Sequence, residues 1–335
     1  MRTIIFIGYL VLHNFFCFAQ KQTEKIMFYN VENLFDTYDN PDKRDEDFTY
    51  KGWKRWTYPR YISKQKHLSD VIYNLSDGIW PLVIGFAEVE NRRVLEDLLN
   101  KTILNEANYG IVHHESPDKR GIDVAMFYDK DKLQLLEDRA INVDFEKNVT
   151  IKTRDILYAK TLYQSDTLHF FVCHFPSMIG GEKQSEWMRI KAAKVLRAEI
   201  DVLFSRDEDA SIIISGDFNG KANTDAQKTL GTYSFDKKLV KSRLYNTGYY
   251  LLRKNIGTYK YKGIWQTIDH IIVSTSLLMG DKPLKFEKRT KIYNADFLLE
   301  EDKTSYGKKP LPSYRGPIYC DGYSDHLPIY IETRN

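Results

Sequence analysis

Hydrophobic runs of strand length recur along this chain, and most of them break off at an acidic, amide or imidazole side chain. Lys25-Ile26-Met27-Phe28-Tyr29 stops at Asn30, and Leu82-Val83-Ile84-Gly85-Phe86-Ala87 stops at Glu88. The second run is continuously apolar, as in a strand buried on both faces. Similar runs predict strands at Val124 to Tyr128, Leu157 to Tyr163, Leu168 to Cys173, Ser211 to Ser215, Thr267 to Val273 and Leu327 to Ile331. Two stretches carry a helical period instead. Leu68, Val71, Ile72 and Leu75 recur at spacings of three and four before the Asp77-Gly78 breaker, and Ala193, Leu196, Ile200 and Leu203 form one stripe in a helix predicted over Ser185 to Phe204. Asp36 to Asp47 is acidic and turn-prone. Strands and helices do not alternate strictly, which favours sheets packed on each other with helices outside over a doubly wound nucleotide fold.

Composition narrows the class. The chain has 335 residues, 42% hydrophobic and 28% charged, the profile of a folded globular protein rather than a disordered one. No repeat, low-complexity linker or compositional break divides it beyond the leader, so residues 20–335 read as one domain. A formal charge of +3 is too small for a general nucleic-acid coat, so any polyanion site must come from local clustering.

The first residues form a leader. Arg2 precedes an apolar run from Ile4 to Phe18 that ends in Cys17-Phe18-Ala19-Gln20, the pattern of a signal peptide over residues 1–19, cleaved after Ala19. The run is shorter than the roughly 18–20 residues of a spanning helix, and the bulky Phe15 and Phe16 argue against a lipid-modified Cys17. The expectation is an exported protein, secreted or periplasmic, with no membrane span. Cys173 and Cys320 then remain; their spacing leaves a disulfide open and contains no metal-type CxxC pair.

The polar groups at the strand ends share one chemistry. Tyr29 is followed by Asn30, Ala87 by Glu88, Cys173 by His174, Gly216 by Asp217-Phe218-Asn219, Ile268 by Asp269-His270, and Ser324 by Asp325-His326. Glu88, Asp217 and Asp325 with Asn30 and Asn219 are hard oxygen donors, a set suited to Mg²⁺, with Mn²⁺ or Ca²⁺ as alternatives. Zinc would call for imidazole and thiolate ligands, and no His pair has ligand spacing within one element. The histidines suit acid–base work or donation to growing negative charge. Gly216-Asp217-Phe218-Asn219 is the most specific of these signals and Ser324-Asp325-His326 the next.

From Tyr29-Asn30-Val31-Glu32-Asn33-Leu34 to Ser324-Asp325-His326-Leu327-Pro328, these motifs in this order resemble the endonuclease/exonuclease/phosphatase superfamily, including its secreted deoxyribonuclease-like branch. The resemblance implies an α/β fold, a four-layered α/β/β/α sandwich of two packed mixed sheets with outer helices, and divalent-metal-dependent hydrolysis of a phosphate ester. It gives Glu88 the metal, with Asn30 and Asp325 beside the same ion. Asp217 and Asn219 resemble the pair that positions the attacking water and the phosphate, His326 the central histidine, and Asp269 the acid that orients it. His174 in Val172-Cys173-His174-Phe175-Pro176-Ser177 resembles a second histidine near the leaving oxygen, Glu115 its carboxylate partner, and Arg154 a phosphate-gripping arginine that could equally be an ion-paired residue. Two positions depart from the pattern: Met178 follows Ser177 where relatives often place arginine, and Gly220 follows Asn219 where others place an acid. His270 receives no role.

The resulting expectation is a monomeric Mg²⁺-dependent nuclease with nucleic acid as substrate and no stable protein partner. The basic-aromatic segments Tyr259-Lys260-Tyr261-Lys262-Gly263-Ile264-Trp265 and Lys288-Arg289-Thr290-Lys291 are candidates for tracking phosphates and stacking bases. The competing readings are a phosphoesterase on lipid head groups or small phosphorylated molecules, and a non-catalytic binding module on the same scaffold.

Overall fold

Which way each strand's side chains point decides the architecture, because apolar residues on both faces require a covering layer on both sides. A computed structural model describes residues 23–145, 151–235, 238–254 and 256–334; the leader expected over residues 1–19 lies outside them. The strands run β1 (Lys25–Leu34), β2 (Val83–Val89), β3 (Tyr109–His113), β4 (Asp123–Asp129), β5 (Leu133–Ile141), β6 (Ile156–Tyr163), β7 (Asp166–His174) and β8 (Ser211–Asp217). They continue with β9 (Thr232–Tyr233), β10 (Leu244–Asn246), β11 (Tyr259–Tyr261), β12 (Ile264–Gln266), β13 (Asp269–Ser274), β14 (Lys291–Ile292) and a C-terminal strand, Ile329–Glu332. The principal helices are α1 (Tyr58–Ser76), α2 (Arg92–Asn100) and α3 (Glu182–Arg206).

One mixed sheet has the order β14, C-terminal strand, β1, β2, β4, β3, and the other the order β5, β6, β7, β8, β13, β10, β9. Phe28, Val172, Ile213, Ile271 and Ile329 pack together between the sheets. On the outer side of the first sheet, Tyr29, Ile84 and Phe86 meet Leu68 of α1 and Val94 of α2; on the outer side of the second, Phe171, Ile212 and Ile214 meet Ala193 and Leu196 of α3. The result is the expected four-layered α/β/β/α sandwich. Among the described residues no helix is long and apolar enough to cross a membrane. Cys173 and Cys320 are both free.

The boundaries differ from the sequence expectation where backbone geometry overrides pattern. β1 passes through Asn30 to Leu34, because Glu32 and Asn33 take left-handed φ values of 50° and 54° and the register against β2 shifts between Asn30 and Leu34. The chain thus bulges and resumes pairing instead of ending. α3 begins at Glu182, a few residues before the stripe that announced it. β3, β5 and α2 were not expected: the face of β5 is largely polar, and α2 is only nine residues long.

The sheets approach closely at Gly85. A Cβ there would lie 2.8 Å from Ser215 Oγ, 3.2 Å from Phe28 and 3.3 Å from Val172. Gly85→Val therefore forces side chains into a filled interface, at a cost of about 1–3 kcal/mol. Urea unfolding of the variant should show a lower midpoint at unchanged slope; an unchanged midpoint would mean that the sheets do not pack closely here.

Candidate active site

Period-two alternation carries the inter-sheet face of the second sheet to its rim. Val172, Ile213 and Ile271 point between the sheets, so His174 at the end of β7, Asp217 at the end of β8 and Asp269 at the start of β13 point the same way. The register places them side by side, His174 opposite Asp217 and Asp217 opposite Asp269. In the first sheet the same parity runs from Ile26 and Phe28 to Asn30.

Glu88 needs a different device. Ile84 and Phe86 face the outer helices, and strict alternation would send Glu88 after them. Instead Glu88 has φ 65° and the register with β4 shifts between Ala87 and Val89. A non-glycine residue held in this region marks a locally strained backbone, and here the strain turns the carboxylate into the rim. Its Oε2 accepts from the Asn33 N–H at 3.0 Å, and its Oε1 from Asn30 Nδ2 at 3.4 Å. The same Asn30 nitrogen donates to Asp217 Oδ2 at 3.1 Å, so one amide joins a carboxylate from each sheet.

His326 enters from the turn before the C-terminal strand. Ser324 Oγ donates to the Asn30 carbonyl at 2.7 Å and accepts from the His326 N–H at 3.1 Å. Behind this turn the buried Lys64 of α1 donates to Ser313 Oγ and to the Tyr323 carbonyl, both at 2.6 Å, which holds the segment carrying Asp325 and His326. Asn219, with φ 45°, donates its N–H to Asp217 Oδ1 at 2.8 Å and its side-chain amide to the Phe175 carbonyl at 3.0 Å.

The histidines differ in charge. His326 Nδ1 lies 2.8 Å from Asp269 Oδ2. Burial pulls this imidazole down, but the charge and hydrogen bond of Asp269, with the charges of Asp325 and Asp217, outweigh it and hold its pKa well above the usual value. His174 is pushed well below it by burial and by Arg154, Arg120 and His326, so it is neutral. Its Nε2 lies 3.6 Å from Asp217 Oδ2 and 3.9 Å from Glu88 Oε1, whereas its buried Nδ1 has no partner. The proton of the neutral ring therefore belongs on Nε2. Burial and the neighbouring Asp269 push Asp217 up to about 7.

Asn30, Glu88, His174, Asp217, Asn219, Asp269, Asp325 and His326 are thus gathered at one rim, most of them lining a cleft of about 610 Å³. Two expected residues fall elsewhere. Glu115 lies apart from His174: its charge neighbours are Asp123, His113 and Lys43, and with His113 and Asp123 it forms a separate group. Arg154 has the contacts of the ion-paired alternative: it is buried, with its guanidinium on Asp118 at 2.9 Å and on the Phe175 carbonyl at 2.7 Å. The guanidinium that lines the cleft is that of Arg120, itself 3.3 Å from Asp118. Arg120 and Lys64 escaped the sequence reading, since a lone arginine in a polar turn and a lysine inside an amphipathic helix both look like surface residues.

The donor set fits a hard divalent cation. Asp269 Oδ2 is committed to His326, which leaves the carboxylates of Glu88, Asp217 and Asp325 with the Asn30 amide as oxygen donors. Burial and the charge of Glu88 raise the pKa of Asp325 even against His326 and Lys64. Carboxylates crowded in this way are what a bound cation relieves.

Comparison with known proteins bears on the family and the fold. The family model described as "Endonuclease/Exonuclease/phosphatase family" matches residues 25–335. The fold is similar to that of truncated Caenorhabditis elegans TDP2, with a TM-score of 0.55 and 13% identity over 93% of this chain and 98% of that one. It is also similar to an endonuclease/exonuclease/phosphatase family protein from Bacteroides thetaiotaomicron, with a TM-score of 0.51 and 16% identity over 93% and 94% of the two chains. A mannosyl-6-phosphatase of the same bacterium gives 0.52 and 17% over 93% and 100%. No curated protein matches the sequence.

Asp269 generates a pH prediction. The raised pKa of His326 means that folded protein holds a proton that unfolded chain releases above about 6.5, and the raised pKa of Asp217 acts in the same direction between the ordinary carboxylate range and about 7. The His326 contribution makes metal-free protein less stable as pH rises above about 6.5, and the Asp217 contribution adds to this loss up to about 7. Asp269→Asn removes a cause of both shifts. Urea unfolding in chelator from about pH 6 to 9 should show a shallower pH slope for the variant; equal slopes would mean that Asp269 does not hold the charge of His326.

Proposed function

This chain belongs to the endonuclease/exonuclease/phosphatase family of metal-dependent phosphoester hydrolases, and we propose that it is an exported, Mg²⁺-dependent phosphodiesterase of the deoxyribonuclease-like branch that cuts nucleic acid. The observation that carries this reading is the pair of imidazoles set about one carboxylate oxygen. His174 Nε2 lies 3.6 Å and His326 Nε2 3.9 Å from Asp217 Oδ2. A phosphodiester is guarded by its anionic oxygens and has a poor alkoxide leaving group, so its hydrolysis gains from one fixed positive donor and one neutral donor at separate positions. The leader at residues 1–19 supports export.

Each side chain has a derived task. Glu88, Asn30 and Asp325 would hold the ion. When bound, Mg²⁺ draws charge from the phosphate and stabilises the leaving oxygen. Asp217, pushed up to about 7, is poised near neutral pH to accept a proton from the attacking water. Asn219 and Asn30 fix its two oxygens. His326, cationic through Asp269, donates from Nε2 to a nonbridging oxygen. His174, keeping its proton, donates a hydrogen bond from Nε2–H to the leaving oxygen and so stabilises the charge that grows there.

The test compares wild type with His326→Ala on plasmid DNA, RNA, sphingomyelin and sugar phosphates, each with Mg²⁺ and with chelator. Nucleic acid should be cut only with metal, and the variant should be about 100- to 1000-fold slower. Release of phosphocholine or inorganic phosphate with nucleic acid left intact would replace this reading by the small-phosphoester one.

A further inference from the structure

Aromatic and aliphatic side chains line part of the cleft. The Tyr259 ring lies 5.0 Å from that of His326, tilted by 30°, and a bridge between the two residues fixes the contact. Tyr259 and Tyr261 belong to the hairpin of β11 and β12, whose two-residue turn is Lys262-Gly263 with φ 47° and 80°. Positive φ at both turn residues is the tight geometry that matches the twist of paired strands, and glycine takes the second place without strain. The hairpin is braced from behind. Lys260 pairs with Asp302 at 3.1 Å and donates to the Tyr306 carbonyl at 2.9 Å. Met178 and Ile179 also line the cleft, and Ile179 is 77% exposed.

Cations are scarce by comparison. Apart from the histidines, Arg120 and Lys221 are the basic residues lining the cleft. No lysine or arginine of the basic-aromatic segments lines the cleft: Lys260 is spent on Asp302, Lys262 lies over the Tyr261 ring, Lys291 pairs with Glu287 and Glu332, and Arg289 lies over the Tyr250 ring. A protein that tracks a duplex engages on the order of six to ten phosphates. A site with few cations and an aromatic wall suits an unstacked strand, whose bases offer flat faces that a duplex hides.

Building on the nuclease reading above, we propose that the cleft selects unpaired nucleotides, with the base next to the scissile phosphate stacked on Tyr259 and enclosed by Tyr261 and Ile179. The enzyme then acts on single strands and frayed ends in preference to duplex, because a paired base must first leave its stack to reach Tyr259.

The test measures cleavage of a labelled oligonucleotide with Mg²⁺ as a single strand, as a blunt duplex, and as a single strand lacking the base beside the cut. Wild type should prefer the single strand over the duplex by at least about tenfold. Tyr259→Ala should lose about 5- to 150-fold in kcat/KM on the intact strand, and Tyr259→Phe should retain most of it. The missing base and Tyr259→Ala should not be additive, because each removes the same contact; a purely structural role for Tyr259 would make the two losses independent. Equal rates on strand and duplex, or independent losses, would overturn this inference and leave the nuclease reading standing. If no nucleic acid is cut while a p-nitrophenyl phosphodiester is hydrolysed, the nuclease reading fails and this inference with it.

Discussion

The site depends on one constraint, that side chains alternate strictly along a strand while the chemistry needs them all on one side at one end. In the second sheet alternation suffices: the inward face that carries Phe170 and Val172 also carries His174, and the face of Ile213 also carries Asp217. In the first sheet it fails by one residue at Glu88. The backbone there accepts φ 65° and a register shift so that the carboxylate can face its partners. A one-residue slip elsewhere in either sheet would send these groups toward the helices instead.

Bringing charges to a buried rim costs stability, and the structure distributes that cost. Glu88 and Asp217 both present an oxygen within 3.4 Å of the Asn30 amide nitrogen. Like charges about 4 Å apart repel by about 4 kcal/mol at the dielectric of a protein surface. Compensation comes from Asn30, from protonated His326, and from Lys64, which burial pulls down to about 8 against the attraction of Glu32, Asp325 and Glu88. Glu32, pushed up to about 7 by burial and Asp325, accepts from the Ser313 N–H at 2.7 Å. A buried ammonium between α1 and the turn that carries His326 thus ties the outer helix layer to the reacting groups.

Much of this was legible in the sequence because the site is built on strand ends. An apolar run that stops at Glu88, His174 or Asp217 reveals both the strand and the side chain it aims, and the turn of Ser324, Asp325 and His326 is marked by its own polar cluster. What could not be read were relations set by tertiary contact. Nothing local distinguishes Arg154, buried on Asp118, from Arg120, which lines the cleft. Glu115, which the resemblance made the partner of His174, joins His113 and Asp123 in space instead. The left-handed residues of β1 and β2 carry no sequence signal, since neither glutamate nor asparagine announces a bulge as glycine would.

The two kinds of residue around the cleft also answer to different physical demands. Groups that move protons or hold an ion must be fixed to within fractions of an ångström, and here they sit on paired strands or on turns clamped by hydrogen bonds. The rest of the cleft is lined from the β11–β12 hairpin and from the segment after Pro176, which Arg189 steadies by donating to the Pro176 and Ser177 carbonyls, each at 3.3 Å. None of the rim ligands lies on these segments, and the hairpin meets the rim through the bridge and ring contact of Tyr259 with His326. The scaffold therefore accounts for hydrolysis of a phosphoester, and the selection of unpaired nucleotides proposed above rests on the hairpin and the Met178–Ile179 lip, which lie outside it.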